Sequence, residues 1–189
     1  MTDKTIELSA MPTPNPNTIK FLPNKDFFEA GSVDFPNKEK AEGSILPETL
    51  FQIDGIEGVM VGHNFVSVTK TSDTTWETVL EVIRNTIIET LSAESDVIKP
   101  ELVEEAQQSV EHDDEISQKI QQILDEEIRP AIAMDGGDVS LRSYEDGIVR
   151  LYLQGACSTC PSATMTLKMG IENRLKEDIP EIVEVVQEI

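Results

Sequence analysis

Apolar residues recur at helical spacing in two stretches of the chain. The first set is Trp76, Val79, Leu80, Ile83, Ile87 and Leu91, and the second is Ile116, Ile120, Ile123, Leu124, Ile128 and Ile132. Gaps of three and four residues put each set on one face of a helix. Thr74 or Thr75 can cap the first helix, whose spacing places Trp76 in a core. Pro130 limits the regular part of the second helix, and the glycines at 136–137 end it.

Alternation of apolar and polar residues predicts strands elsewhere. The predicted strands are residues 18–22, 65–69, 139–144, 148–154 and 182–186. Asp146-Gly147 between the third and fourth strands is a strong hairpin signal. A short helix is expected over 46–52, after an irregular stretch at 35–44, and a last helix over 161–176.

An acidic stretch divides these elements into two groups. Residues 93–115 contain nine acidic residues against the single Lys99, which is typical of a solvated linker or a short exposed helix. We therefore expect an α+β protein of two small domains. The N-terminal α/β domain covers 1–92, the acidic linker 93–112, and a C-terminal α-β-β-α-β domain 113–189.

The overall negative charge excludes polyanionic binding partners. The net charge of −21 repels nucleic acid and anionic membranes, so neither is expected to bind. No apolar run reaches the roughly 20 residues that span a bilayer, and the N-terminal residues show no targeting pattern. These features predict a cytoplasmic protein.

Candidate chemistry is concentrated in the only two cysteines, Cys157 and Cys160. They follow a predicted strand and precede Pro161, which suits the first turn of a helix. Backbone N–H groups and the helix dipole at that position favour thiolates. Iron–sulfur clusters and structural zinc commonly take four ligands, and one chain offers two. A twofold dimer would complete the set.

Two other uses of the same cysteine pair stay open at this point. A zinc-linked dimer would have the same ligand count. A thiol–disulfide oxidoreductase would use Cys157 as nucleophile and Cys160 as resolving thiol. That second reading fits less well, because only 29 residues follow Cys160 and no βαβ unit precedes the motif.

Several other residues have weaker functional readings. His63 and His112 are each isolated, so exposed side chains are expected in place of metal ligands. Met165 and Met169 are expected to fill the core, with a dimer contact as the alternative. Asp138 is expected to form a local hydrogen bond and has no catalytic role. A conformational role is expected for the glycines near the motif, Gly136, Gly137 and Gly155.

Motifs along the whole chain carry a resemblance to a known family. In the C-terminal part they are Met-Asp-Gly-Gly-Asp-Val at 134–139 and Leu-Gln-Gly-Ala-Cys-Ser-Thr-Cys-Pro-Ser-Ala at 153–163. In the N-terminal part they are the stretches 14–21, 31–35 and 51–59. With these motifs the chain resembles the Nfu/NifU family of iron–sulfur scaffolds, and its C-terminal domain resembles the NifU-like module.

The resemblance implies a specific function and site. It implies a [4Fe–4S] cluster shared between two subunits, with Cys157 and Cys160 as the ligands and a homodimer when the cluster is bound. It also implies transfer to apo iron–sulfur proteins and supply by upstream cluster assembly proteins, so that the protein is a carrier and not an enzyme. With no further cysteine in the chain, late carriage is expected more than assembly from free iron and sulfide.

Overall fold

The structure is a computed structural model with two compact units. It describes residues 5–29, 31–93, 96–107, 114–158 and 161–188. The units are Met1–Gln108 and Ser109–Ile189, and each has its own sheet and hydrophobic core. No helix in the described ranges combines the length and apolar character needed to cross a bilayer.

The N-terminal unit is built on a five-stranded antiparallel sheet. Its strands are β1 (Leu8–Pro12), β2 (Thr18–Pro23), β3 (Ser32–Phe35), β4 (Ile56–Gly62) and β5 (Val66–Lys70). They lie in the order β1-β2-β5-β4-β3. The helices are α1 (Lys38–Ala41), α2 (Ile45–Leu50), α3 (Trp76–Ala93) and α4 (Pro100–Gln107).

One face of this sheet packs against α3. Strand pairing aligns an apolar row across four strands: Phe21, Val66, Val61 and Val33. The buried residues of α3 in the same cluster are Val79, Ile83, Ile87 and Leu91. Burying a side chain of this size stabilises the fold by about 1.5–3 kcal/mol. The helical spacing seen in the sequence is thus confirmed as the core-facing stripe of α3.

Part of the acidic stretch packs on the N-terminal unit. Val97 and Ile98 are buried in its core, and Leu102 and Val103 of α4 pack against the same cluster. The Leu46 N–H donates to the Val97 carbonyl over 3.1 Å. Of the two alternatives expected for the acidic stretch, a short and mostly exposed helix is present as α4. The solvated linker is not found at Val97 and Ile98, because these apolar residues pack into the core. The predicted domain boundaries themselves stay a prediction.

The C-terminal unit has the order α-β-β-α-β. Its strands are β6 (Gly137–Glu145), β7 (Ile148–Gly155) and β8 (Glu184–Glu188), and its helices are α5 (Glu115–Ile123), α6 (Arg129–Met134) and α7 (Pro161–Asp178). Strand β7 pairs antiparallel with β6 and parallel with β8. Asp146 and Gly147 turn between β6 and β7 with φ of 50° and 82°. The α+β class and the hairpin are confirmed.

A π-helical segment, Leu124–Ile128, joins α5 to α6. The Arg129 N–H donates to the Leu124 carbonyl, five residues back. Pro130 explains the change, because its ring would clash with the carbonyl four residues earlier in a regular α-helix and it has no N–H to donate. The regular helix expected up to Pro130 therefore ends earlier, at Ile123.

Helix α7 runs antiparallel to the continuous helix formed by α5, the π-helical segment and α6. Lys119 Nζ donates to the Asp178 carbonyl over 2.6 Å. Closer to the start of α7, Arg174 donates two hydrogen bonds of 2.7 and 2.6 Å to the carboxylate of Glu127. Residues nearer the start of α7 therefore lie beside residues nearer the end of that continuous helix. The end of α6 and the start of α7 consequently lie at the same end of the helix pair.

Candidate metal centre

The cysteine loop folds back on the glycines that open β6. Gly137 pairs with Gly155 at the end of the β6–β7 ladder. The Ala156 N–H donates to the Gly136 carbonyl over 3.1 Å. Both the N–H and the Oγ of Ser158 donate to the Gly155 carbonyl, over 3.1 and 2.8 Å. The backbone on both sides of Cys157 is therefore held by hydrogen bonds.

Cys157 is buried, with 6% of its surface exposed, and belongs to the core of the C-terminal unit. Its Sγ lies directly over Gly137. A Cβ added to Gly137 would be 2.5 Å from the Sγ and 3.2 Å from the Cβ of Cys157. Real Cβ atoms do not approach this closely, so Gly137 is the residue that makes room for the thiol. The close approach expected of a glycine here is found at Gly137, and positive φ at Gly136 and Gly155.

Cys160 lies outside the described residues. The helix predicted after the motif is present, since α7 begins at Pro161. Cys157 thus lies between the end of β7 and the start of a helix, where the sequence placed it. Free N–H groups in a first helical turn favour anionic ligands such as thiolates.

A partly buried ion pair holds the start of β6 beside the thiol. Arg129 Nε and Nη2 donate to the two carboxylate oxygens of Asp138, each over 2.8 Å. Asp138 Oδ1 also accepts from the Val139 N–H over 2.7 Å, and Arg129 Nη1 donates to Asp125 over 2.9 Å. The hydrogen bond to Asp138 raises the pKa of Arg129 above its usual value, so the guanidinium stays charged.

This ion pair acts on the site through the backbone. Asp138 is next in the chain to Gly137, which touches the thiol. Only 10% of the Asp138 side chain is exposed, and a bidentate guanidinium–carboxylate pair fixes orientation as well as charge. The pair ties α6 to the start of β6. The local hydrogen bond expected for Asp138 is present, to Val139.

The methionines near the loop are exposed. Met165 and Met169 on α7 have exposed fractions of 69% and 60%, and Met134 at the end of α6 has 76%. The expectation that Met165 and Met169 fill the core is wrong. They lie on the side of α7 away from Ile171 and Leu175, which are the residues that pack inward.

The histidines add no ligand to the site. His63 Nδ1 contacts the Phe28 carbonyl oxygen, and its Nε2 lies 3.7 Å from Asp26. His112 lies outside the described residues. Within the described ranges, no three His, Cys, Asp or Glu side chains are grouped so as to hold a metal ion. A metal bound at Cys157 therefore needs ligands beyond the described side chains of one chain.

In the N-terminal unit, the residues around 14–17 lie against the start of α3. Trp76 Nε1 donates to the Pro16 carbonyl over 2.9 Å, and Lys70 Nζ donates to Asn17 Oδ1 over 3.0 Å. The Lys70 Nζ also lies 5.5 Å from the centre of the Trp76 ring. Trp76 packs against the core at its edge, as its helical spacing predicted.

Comparison with known proteins covers both units. Residues 8–94 match the family model described as "Scaffold protein Nfu/NifU N terminal", and residues 120–186 match the "NifU-like domain". The human protein named "NFU1 iron-sulfur cluster scaffold homolog, mitochondrial" is 40% identical over 171 residues, which are 90% of this chain and 67% of the human one. The chain belongs to the Nfu/NifU family.

Another member of the Nfu/NifU family matches nearly all of the chain. "NifU-like protein 4, mitochondrial" of Arabidopsis thaliana is 38% identical over 189 residues, covering 98% of this chain and 67% of the relative. Among solved structures, the solution structure of a NifU-like protein from Saccharomyces cerevisiae is 23% identical. It covers 52% of this chain and 89% of its own, with a TM-score of 0.45.

The cytoplasmic location predicted from the sequence is contradicted. The human and Arabidopsis members of the Nfu/NifU family named above are called mitochondrial. The prediction rested on the lack of a long apolar run and of a targeting pattern in the N-terminal residues. Neither absence identifies a compartment, so the inference was wrong.

One contributor to the site of this Nfu/NifU protein was missed in the sequence. It is Arg129, for which the Asp125–Arg129 spacing of four residues was an available signal. Its bond to Asp138 joins a helix to a strand, and no local sequence pattern predicts such a contact.

Proposed function

We propose that this chain is an iron–sulfur cluster carrier that holds a [4Fe–4S] cluster as cargo through Cys157 and Cys160 of each of two subunits. It receives the cluster from upstream assembly proteins and passes it to apo iron–sulfur proteins, and it acts as a scaffold and not as an enzyme. The observation that carries the proposal is the placement of Cys157 over Gly137, between the end of β7 and the start of α7.

The chemistry of the donors fits the cargo. Thiolates are soft ligands and select iron–sulfur clusters or zinc over hard cations. The Cys157 thiol precedes the start of α7 by four residues, and its backbone is anchored on both sides. The human relative named as an iron–sulfur cluster scaffold homolog is 40% identical over 90% of this chain, which supports the same role here.

The ligand count requires a second subunit. A four-iron cluster commonly takes four cysteines, and this chain has two. A twofold axis beside the loop would bring both pairs to one cluster. Each subunit then contributes half of the bonds, so loss of either subunit opens half of the coordination sphere. That makes the bound cluster easy to release, as a carrier requires.

Release proceeds by exchange of thiolates. Each thiolate of the recipient forms one iron–sulfur bond as one bond to Cys157 or Cys160 breaks. The departing cysteine keeps its electron pair and takes up a proton from solvent. Iron and sulfide keep their oxidation states, so the exchange requires no oxidant or reductant.

Anaerobic reconstitution with iron and sulfide tests the proposal. We expect the wild-type chain to gain a broad thiolate-to-iron absorption band together with a dimer peak in gel filtration. Cys157→Ala and Cys160→Ala should each lose both. Val183→Ala is the control, because Val183 is 67% exposed and its N–H donates to the Gly147 carbonyl at the end of β7 away from the cysteine loop, so it should keep both.

Two outcomes would overturn the carrier function. A colourless wild-type dimer that retains zinc would point to a structural metal site. A colourless monomer that reduces disulfides, and loses that activity in Cys157→Ala, would point to an oxidoreductase. Transfer is checked separately by mixing the loaded dimer with an apo four-iron protein and measuring the activity that the recipient regains.

A further inference from the structure

The segment around the cysteines is nearly free of charge in a strongly acidic protein. Residues 154–171 contain one charged residue, Lys168, although a charged fraction of 27% would give about five in 18 residues. Lys168 Nζ lies 3.3 Å from a carboxylate oxygen of Glu184. The surface that this segment presents therefore lacks the acidic side chains found over the rest of the chain.

One side of α7 exposes apolar side chains within this segment. Met165 and Met169 are four residues apart and so lie one above the other on the helix. Thr166 and Gly170 are exposed beside them. Solvated methionines on a helix surface gain nothing within the monomer, since burial is what makes an apolar side chain stabilising.

Gly170 has no role inside the described part of the chain. A Cβ added there would meet nothing within 4 Å. Glycine in a helix interior is less favourable than alanine, and here no close internal contact or positive φ compensates for it. A glycine at such a position lets another backbone approach the helix closely.

Met134 extends this surface toward the cysteine loop. The antiparallel register set by Lys119–Asp178 and Glu127–Arg174 places the end of α6, and Met134 with it, at the same end of the helix pair as the start of α7. Two residues after Met134, the Gly136 carbonyl accepts from the Ala156 N–H of the cysteine loop. We name the surface formed by Met134, Met165, Thr166, Met169 and Gly170 the methionine face.

We propose that the methionine face is the contact through which two copies of this chain associate around the shared cluster. This rests on the proposed function, because the four-thiolate site is incomplete without a second copy. Two copies each carrying a charge of −21 repel one another, so contact is favoured where acidic side chains are missing. None of the five residues of the methionine face is charged, and the exposed Asp135 and the partly exposed Glu172 mark its edges. Its first residue on α7, Met165, follows Cys160 by five residues.

The geometry also accounts for the residue types. Around a twofold axis each methionine meets side chains from the same surface of the partner subunit. Methionine adapts its shape to such a surface, and Gly170 allows the two helices to come close. The dimer thus depends on both apolar burial and the bridging cluster, and it separates when the cluster leaves.

Three variants of the full chain test this contact after anaerobic reconstitution. Met169→Glu puts a carboxylate on each side of the contact. Gly170→Leu fills the open space over α7, where an added Cβ would have no described atom within 4 Å apart from the adjoining backbone of its own helix. Val183→Glu is the control, because Val183 is 67% exposed at the far end of β7, where its N–H donates to the Gly147 carbonyl over 2.7 Å.

Sedimentation velocity over a range of concentrations measures the dimer, and the visible spectrum measures the cluster. We expect Met169→Glu and Gly170→Leu to raise the dimer dissociation constant at least about tenfold. The thermal midpoint of apo Gly170→Leu should equal or exceed that of the wild type. Val183→Glu should match the wild type in both measurements.

The outcomes separate this inference from the proposed function. If the wild type takes up no cluster, or Cys157→Ala takes up as much, the carrier function fails first. If the wild type forms a coloured dimer and both face variants form it with an unchanged dissociation constant, the methionine face is not the contact. A variant that keeps the coloured dimer but no longer delivers the cluster would assign the face to recipient proteins and overturn the inference.

Discussion

The two ends of the β6–β7 hairpin meet the same packing constraint for different purposes. At the closed end, a Cβ on Gly147 would lie 2.7 Å from Val183 Cγ2 and 2.8 Å from the Glu181 carbonyl oxygen. At the open end, a Cβ on Gly137 would lie 2.5 Å from Cys157 Sγ. The first glycine makes room for the chain itself, and the second makes room for a reactive group. A crowded glycine is therefore a sign of function only when the crowding atom is chemically useful.

Substitution at the closed end should have the largest effect on stability. Gly147 has a φ of 82°, so Gly147→Ala combines a strained backbone with a clash against a carbonyl. We expect the free energy of unfolding of the C-terminal unit to fall by about 3 kcal/mol. Urea unfolding followed by tyrosine fluorescence measures this, because both tyrosines, Tyr144 and Tyr152, are in this unit.

Two internal controls sharpen that measurement. The single tryptophan, Trp76, reports the N-terminal unit, and its transition should not move. Gly170→Ala changes a glycine with no neighbour within 4 Å and should leave the unit as stable or up to about 1 kcal/mol more stable. A loss in Gly170→Ala as large as in Gly147→Ala would contradict the role given to crowding.

Substitution at the open end should affect the cluster more than the fold. The added methyl group of Gly137→Ala would collide with the Cys157 thiol. We expect the free energy of unfolding measured from tyrosine fluorescence to fall by about 2 kcal/mol, and the protein to bind less iron on reconstitution. Adding Cys157→Ala removes the clashing sulfur, so the double variant should regain part of the stability. Wild-type iron content in Gly137→Ala would show that the thiol does not need this glycine.

The ion pair beside the open end should have a smaller effect. Arg129→Ala leaves Asp138 buried without its guanidinium, and we expect a loss of about 1.5 kcal/mol, discounted because the Arg129 side chain is 30% exposed. Arg129→Lys should recover part of it, since lysine keeps the charge but loses the bidentate geometry. The measurements are the urea unfolding transition followed by tyrosine fluorescence and the rate at which the thiolate-to-iron absorption band of the reconstituted protein decays.

An exposed pair provides the comparison for this prediction. Arg84→Ala removes the Arg84–Glu81 pair, whose closest atoms are 3.9 Å apart on the surface of α3. It should change the Trp76 transition by less than about 0.5 kcal/mol. Equal effects of Arg84→Ala and Arg129→Ala on their own units would mean that the buried pair has no special role.

Low pH should reduce the stability of the C-terminal unit through its glutamates, and this is the smallest of the expected effects. Hydrogen bonds from Lys176 and from the Val185 N–H lower the pKa of Glu172, and Arg174 lowers the pKa of Glu127. A lowered folded-state pKa contributes stability above the unfolded value of 4.5, and that stability is lost as the pH falls through the folded pKa. Below pH 4.5, the free energy of unfolding measured from tyrosine fluorescence should therefore fall less steeply in Glu172→Gln than in the wild type. An unchanged slope would contradict this prediction.

Periodic features of the fold were readable from the sequence. The stripe of α3 and the Asp146-Gly147 turn each depend on neighbours a few residues away, so local patterns predicted them. Strand β1 was missed, because most of it is exposed and it is held only by pairing with β2. The short helix α1 was missed as well; the side chain of Asn37 caps it by accepting from the Lys40 N–H over 2.9 Å.

The site was predictable in position but not in its contacts. The C-x-x-C spacing before Pro161 placed Cys157 between a strand and a helix. Which glycine would touch the thiol, and that Arg129 would reach Asp138, depend on how two elements distant in sequence approach each other. The methionines on α7 were misassigned for the same reason, since helical spacing does not say which side of a helix another element covers.

The π-helical segment before Arg129 has a consequence for insertions and deletions. Its turn holds one residue more than an α-helical turn. Deleting one residue from Leu124–Ile128 would let this turn return to α-helical winding with little net rotation of Ile120 relative to Arg129, because the wider turn is what accommodates the extra residue. The ring of Pro130 would then meet the carbonyl four residues before it. A residue inserted into α5, where no wider turn absorbs it, would instead rotate the residues before it by about 100° relative to Arg129.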